Sequence, residues 1–398
     1  MLTNSLNNAI LNFENQSFID KNIDVDVAQL LLKQSLNTLV DLKLLIEQIE
    51  AKRRSKNKLP TWFYTKKIYY PNKLNVEQSS SEITAQYNSN LVSGTTLVDL
   101  TGGFGVDCFY FAKQIKQVYH CEIDKQLSQI VAHNYKQFAT KNITCFAGNG
   151  LSFLASKNAT FDWIYVDPSR RDDLKGKVFL LKDCLPNIPE HLDVLLKCSK
   201  NIMIKTSPLL DFTSGIKELS PVKAIHCVAV NNEVKELLWI LERDYTKAIE
   251  IKTINITKEN NQIFNFLLPE ETHASSYLSK PLTYLYEPNA AILKAGAFEV
   301  LAEKLCLKKL HKHSHLYTAS ELIEFPGRCF KIEAILDYNK KRFKREFKNI
   351  KANVTTRNFP ESVAQIRKKL GLKDGGNDYL FFTTDLKNNK IIVCCSKL

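Results

Sequence analysis

The 398-residue chain has no C-x-x-C pair, and no apolar run approaches the ~20 residues a bilayer-spanning helix needs. Its first residues, MLTNSLNNAILNFENQ, lack the charged segment leading into an apolar core that marks a secretory leader. A soluble, cytoplasmic protein without a membrane partner is expected. The ten cysteines fall at positions 108, 121, 145, 184, 198, 227, 306, 329, 394 and 395. Several sit in apolar strand patterns, as small buried hydrophobes rather than zinc ligands or a disulfide framework. His311, His313 and His315 would share one side of an extended segment, but no acid or cysteine stands at ligand spacing, so no metal is expected. Acidic residues are also short, 42 against 55 Lys and Arg, for a formal charge of +13 and a pI near 9.1. That imbalance points to a polyanionic partner. It is concentrated: from Arg328 onward there are 17 Lys and Arg but 7 Asp and Glu, so the last fifth of the chain is where an anion would dock. A hydrophobic content of 44% leaves no room for extensive disorder, and the length suggests two or three domains.

The densest chemical signal is LVDLTGGFGVD, Leu97 to Asp107. An apolar strand ends in Asp99, and Gly102, Gly103 and Gly105 then lead into a helix. Glycines serve where backbone must turn with positive φ and approach a ligand closely, and the end of a parallel strand is where open α/β sheets bind ligands. A dinucleotide fingerprint needs a further glycine where Cys108 stands. Asp107 would also repel a pyrophosphate at close range, which argues against NAD and for a cofactor carrying positive charge. The D-x-T-G-G-x-G-x-D pattern resembles motif I of class I S-adenosylmethionine methyltransferases. The resemblance implies that Asp99, Gly102, Gly103 and Gly105 line the methionine end of that cofactor, with Thr101 and Asp107 as further cofactor-binding residues.

The following elements fit the same sheet. About 20 residues after the glycine loop, QVYHCEID supplies Glu122, the expected ribose ligand, and Asp124 beside it. The strand ITCFAGNG ends at Asn149, where the family has an Asp against the adenine. FDWIYVDPSRR is a buried parallel strand emptying into a site and resembles motif IV, the D-P-P-Y tetrapeptide of amino-group methyltransferases. That implies Asp167 as the group that orients the acceptor or takes its proton, with the backbone of Pro168 and Ser169 holding it. Arg170 replaces the aromatic. With Arg171 it either stacks on a base and grips phosphate or is a solvated loop pair. The strand NIMIKTSPLLD ends with Lys205, and AIHCVAVNN–EVKELLWILER forms a hairpin through Asn231 and Asn232. Lys205, Glu233, Lys235 and Glu236 are read as the strand-end charges of any α/β sheet.

Before the glycine loop, two amphipathic helices are predicted, ended by the basic stretch AKRRSKNKLPTWF. That stretch would either contact RNA or form a solvated turn beside buried aromatics. Ser79 and Glu82 form a predicted capping box, and Gln78 and Ser80 beside it are cofactor candidates. After about Lys247, IEIKTINIT and IFNFLLP form a hairpin belonging to a small separate α/β module. A helix starts at Pro288 and runs through Leu305. Near the C-terminus one helix carries Phe343 and Phe347 with Lys340, Lys341, Arg342, Lys344, Arg345 and Lys348 on its other faces. A second runs from Pro360 to Gly371, followed by strands YLFFTT and KIIVCC.

The blocks EQSSSEITA, LVDLTGGFGVD, VDPSRR, IKTSPLLD, YLYEPNAA and FPGR resemble, over essentially the whole chain, the bacterial class I methyltransferases with a C-terminal THUMP-like domain. The resemblance implies a seven-stranded Rossmann-like α/β sheet and four regions: N-terminal helices (1–74), the methyltransferase domain (75–245), a small ferredoxin-like α/β module (246–325) and a basic THUMP-like domain (326–398). It implies S-adenosylmethionine as cofactor and structured RNA, tRNA or rRNA, as partner through the basic C-terminal region. A non-catalytic RNA-binding protein on the same scaffold, or a methyltransferase acting on protein or small molecules, are the competing expectations.

Overall fold

The structure, a computed structural model, describes residues 6–32, 40–157, 159–170, 180–339 and 350–398. Two units divide the chain: residues 1–222 with 238–245, and residues 223–237 with 246–398.

In the first unit the basic stretch does not end a helix. It is the C-terminal half of the helix Leu42–Lys58, and Pro60 opens the next, Pro60–Tyr64. Lys and Arg propagate helix well, and proline suits a first helical position because its missing N–H has no partner there. The cationic heads tie neighbouring segments together: Arg53 donates to the carbonyls of Ile23 and Val25, Arg54 pairs with Glu77, and Lys58 caps the carbonyls of Val76 and Glu77. Trp62 is fully buried, its ring 5.1 Å from Phe109 and 4.8 Å from Phe138. Arg53, Lys58 and Trp62 thus brace neighbouring segments, while Arg54, Lys56 and Tyr64 remain exposed. The helix predicted from Ser79 begins instead at Glu82, with Ser81 as its cap accepting the Thr84 N–H at 3.2 Å. Glu82 turns away to hold Thr61 and the Tyr110 hydroxyl.

Strands β1 (Thr96–Asp99), β2 (Gln117–Glu122), β3 (Ile143–Ala147), β4 (Phe161–Val166) and β5 (Ser199–Thr206) pair in parallel. Val98 lies opposite Tyr119 of β2 on one side and Ile164 of β4 on the other. The chain thus leaves β1 toward β2 and later returns to its opposite flank, which makes the C-terminal ends of β1 and β4 a switch point, the place where such sheets open a crevice. β6 (Val222–Val230) and β7 (Glu233–Glu242) form the predicted hairpin; Asn231 and Asn232 take φ of 49° and 64°, the left-handed turn that asparagine tolerates. β8 (Glu250–Ile256) and β9 (Gln262–Leu267) are the second hairpin. Here the structure departs from expectation. β8 pairs in parallel with β6, so the hairpin extends the sheet, giving nine strands in the order β9-β8-β6-β7-β5-β4-β1-β2-β3 rather than seven. A bare β6 edge would leave unpaired N–H and C=O groups, and β8 satisfies them while burying Ile251 and Ile254.

A second sheet lies wholly in the second unit. Its strands are β10 (Tyr284–Pro288), β11 (Lys308–Lys309), β12 (Tyr317–Ala319), β13 (Gly327–Asp337), β14 (Lys351–Thr356), β15 (Lys373–Thr384) and β16 (Lys390–Lys397), in the order β11-β12-β10-β13-β16-β15-β14. Pro288 ends β10 instead of starting a helix. Asn289 caps Ala290–Ala295, accepting the N–H groups of Ala291 and Ile292, and Gly296 at φ 71° stops that helix before Glu299–Lys304. The helix expected from Pro360 starts at Val363, behind a Ser362–Gln365 capping box, and ends at Gly371 as foreseen. The basic helix expected over Lys340 to Lys348 lies outside the described residues. The apolar cores on the sheet gather Ala352, Ile366, Leu370, Phe382 and Ile392 in one cluster and Leu285, Phe330, Phe381 and Val393 in another.

Candidate functional site

Short backbone bonds shape the glycine loop. Gly102 donates to the Cys121 carbonyl at 2.8 Å and Gly105 to the Gly102 carbonyl at 2.9 Å. A Cβ on Gly102 would stand 2.3 Å from the His120 ring, so only glycine lets the loop rest on that imidazole. Gly105 turns at φ 78°, where a Cβ would also meet the Tyr135 hydroxyl at 2.3 Å. Gly103 is different, because its Cβ position meets only the Thr101 carbonyl, at 3.8 Å. That face of the loop is open. His120, fully buried, is pulled down to about 4 by desolvation and stays neutral beneath the loop.

Glu122 accepts the Gly103 N–H on one oxygen and the Asp124 N–H on the other, both at 2.8 Å. It therefore stands beside the glycine loop at the end of β2. Asp124 caps the helix Lys125–Gln137 through the N–H groups of Gln126 and Leu127. Asn149 caps the Gly150–Lys157 helix through the Ser152 N–H at 3.1 Å. Gln78 is exposed at the end of its helix, whereas Ser80 is buried.

Thr101 joins the two motifs. Its hydroxyl donates to Asp99 at 3.3 Å and accepts the backbone N–H of Asp167 at 2.7 Å. The end of β1 and the Asp-Pro corner after β4 consequently open on one crevice. Asp99, 1% exposed, also accepts the Thr101 N–H and the Cys108 thiol, and burial pushes it up to about 7.

The centre of the crevice is a residue set aside in the sequence reading. Lys205, at the end of β5, is buried, and its ammonium lies 2.7 Å from Asp167, 3.3 Å from Asp107 and within hydrogen-bond reach of the Ser80 hydroxyl. Ser80 and Asn88 also donate to Asp107. Burial raises the Asp167 carboxyl above its ordinary value, and the Lys205 charge and hydrogen bond oppose that rise. The available signal was a lysine interrupting the apolar run IMIK of a buried parallel strand, where an unpaired charge is costly. Pro168 is buried and Ser169 exposed, and Ser169–Arg170 pairs as a short ribbon with Cys184–Leu185. The Arg170 side chain and Arg171 lie outside the described residues.

Among other titratable candidates, His311 donates to or accepts from Asn388 and Asn358 at 3.0 and 2.9 Å, and His315 stacks on Phe298 with centroids 3.7 Å apart.

Residues 327–397 match the model of a THUMP domain-like family, and residues 284–326 match that of a ferredoxin-like domain family. A crystal structure described as that of a "putative methyltransferase" from Porphyromonas gingivalis W83 is 31% identical, covering 96% of this chain and 97% of that one, with a TM-score of 0.87. Partial likenesses include an rRNA methylase from Streptococcus thermophilus, 14% identical over 40% of this chain and 93% of that one (TM-score 0.30). Another is M. capricolum TrmK in complex with S-adenosyl-homocysteine, 16% identical over 41% of this chain and 70% of that one (TM-score 0.31). No curated protein matches the sequence.

Proposed function

Because the chain belongs to the bacterial class I methyltransferases with a C-terminal THUMP-like domain, we propose that it transfers a methyl group from S-adenosylmethionine to a base of structured RNA, tRNA or rRNA. The observation that carries this reading is the Thr101 hydroxyl, which ties the acid at the end of β1 to the backbone of Asp167; donor and acceptor would then share one crevice.

The residues present fit such a cofactor. Asp107, Glu122 and Asp167 stand at the glycine loop and the adjoining Asp-Pro corner, and Lys205, paired with Asp107 and Asp167, is the cation there. That excess of carboxylates suits a ligand bearing a sulfonium and an ammonium and disfavours a pyrophosphate. The open face of Gly103 leaves room beside the loop. Asp99, Thr101, Gly102, Gly103, Gly105, Asp107 and Glu122 would hold the cofactor, with Asp124, Asn149, Gln78 and Ser80 at its margins. When bound, it supplies a methyl group whose sulfur leaves as a neutral thioether, so the protein's task is chiefly alignment. Asp167 orients the acceptor or takes its proton. Lys205 favours the ionised form of that carboxyl and opposes the rise that burial imposes. The backbone of Pro168 and Ser169 holds the acceptor, and Arg170 stacks on the base or grips its phosphate. A base buried in a helix must be flipped to reach Asp167.

Incubation with isotope-labelled cofactor and RNA from a strain lacking the protein tests this. Label should enter a nucleoside identifiable by mass spectrometry. Asp167→Asn should reduce incorporation by about 100-fold or more while leaving cofactor binding, read by calorimetry, within about threefold. Absence of binding heat would overturn the enzyme reading. It would favour a non-catalytic RNA-binding protein, the reading supported by Arg170 in place of the motif IV aromatic and by Asn149 serving as a helix cap.

A further inference from the structure

Two sequence blocks remain without a role in the methyl-transfer crevice, YLYEPNAA and FPGR. The structure brings them together within the second unit: β10 and β13 pair so that Glu287 lies opposite Arg328 and Pro288 opposite Gly327. Glu287 is 3% exposed, yet two guanidiniums converge on it. Arg328 places Nε 2.7 Å from Oε2 and brings Nη2 to the same oxygen; Arg357, just past β14, places Nε 3.2 Å and Nη2 2.9 Å from Oε1.

Both arginines thus spend the Nε–Nη2 edge on one carboxylate. Each guanidinium has five N–H donors in a fixed plane, so the edge carrying Nη1 remains on both. The two side chains are 38% and 35% exposed. One carboxylate neutralises one of the two charges. A structural ion pair would need a single arginine; the second leaves a net positive charge at a half-exposed place, with both planes held by a buried anchor. Arg328 also sits 5.5 Å above the Phe330 ring, which further fixes it. Arg357 also reaches the adjoining loop: His315 is pulled down to about 4 by burial first, then by the charges of Lys309, Arg357 and His313, against the opposing charge of Glu299.

We propose that Arg328 and Arg357, splayed on Glu287, form a preorganised clamp for a phosphodiester of the bound RNA. Planar forks match phosphate oxygens two at a time, and a rigid anchor removes much of the ordering cost that free arginines incur on binding. The clamp deepens the RNA reading above and rests on it. It assigns the first phosphate contact to the sheet itself, at the junction of β10 with β13.

The test uses full-length protein and unfractionated tRNA, with binding measured by filter retention over a series of salt concentrations. Arg328→Gln and Arg357→Gln should each weaken binding about fivefold near physiological salt and lower the slope of log K against log salt by about one. Calorimetric cofactor binding should be unchanged, and the thermal unfolding curve read by circular dichroism serves as the check on folding. Exchanging both arginines for lysine keeps the charge but not the forks: the slope should persist while affinity falls. That variant decides the matter should the glutamine proteins fail to fold. Folded glutamine variants, or the lysine variant, with wild-type affinity would overturn the clamp and leave the methyl-transfer reading standing. A wild-type protein that binds cofactor but neither tRNA nor, in the same assay, rRNA would overturn both the clamp and the RNA half of the proposed function.

Discussion

Lys205 governs more of the crevice than any glycine. Its ammonium separates Asp107 from Asp167, two carboxylates that would otherwise face each other in a poorly solvated space. Removing one member of a buried ionic group costs about 3 kcal/mol or more because the remaining charges lose their partner, although Asp167, 35% exposed, recovers some hydration. Lys205→Met should therefore lower the unfolding free energy by about that much in a denaturant titration. It should also move the acid limb of the transfer reaction to higher pH, since Asp167 loses the charge that favours its ionised form. Asp99 gives a second prediction. Its folded carboxyl is raised to about 7 by burial, so the folded protein holds this proton more firmly than the unfolded chain does. The associated stability is full below the unfolded value and disappears as pH rises through about 7. Asp99→Asn removes the titration, so its melting temperature relative to the parent should climb between pH 5 and pH 8. Gly102 supplies a third. Alanine there must displace the His120 ring, at about 1–3 kcal/mol, and Gly102→Ala combined with His120→Ala should recover part of that loss in a double-mutant cycle.

At the scale of elements, most departures concern where a segment starts rather than what it is. Ser79 and Ser81 both precede Glu82, and spacing alone selected the wrong serine; Glu82 is drawn off by Thr61 and Tyr110, which are distant in sequence. Ser81→Ala should accordingly cost about 1 kcal/mol, and Ser79→Ala clearly less, in thermal unfolding. The helix expected from Pro288 is likewise split, because Asn289 supplies a better cap and Gly296 a left-handed stop. Helices and strands themselves were legible from periodicity: the hairpin through Asn231 and Asn232 and the helix ending at Gly371 formed where turn chemistry placed them.

For the whole molecule, the nine-stranded sheet shows why a composition change after Lys247 misled. β8 and β9 carry their own turn and alternate like an independent hairpin, and only pairing with β6 makes them part of the larger sheet. The seven-stranded sheet runs across residue 326. β10 bonds β12 on one flank and β13 on the other, so a chain cut after 326 would expose the β10 edge and lose Phe330, Phe381 and Val393 from their shared core. Such a truncation should aggregate or lose cooperative unfolding, as monitored by solubility and circular dichroism.

The sequence by itself determined the local pieces of the switch point. A strand ending in Asp99, a bend that only glycines can make and an Asp-Pro corner are local patterns, and local backbone chemistry dictates them wherever the chain lies. Tertiary structure alone decided that Lys205 is the cation between Asp107 and Asp167, that Thr101 links the two motifs, and that Glu287 gathers two arginines. Those facts join residues tens to nearly a hundred positions apart. Charge and hydrogen bonding act through distance in space, which no spacing along the chain encodes.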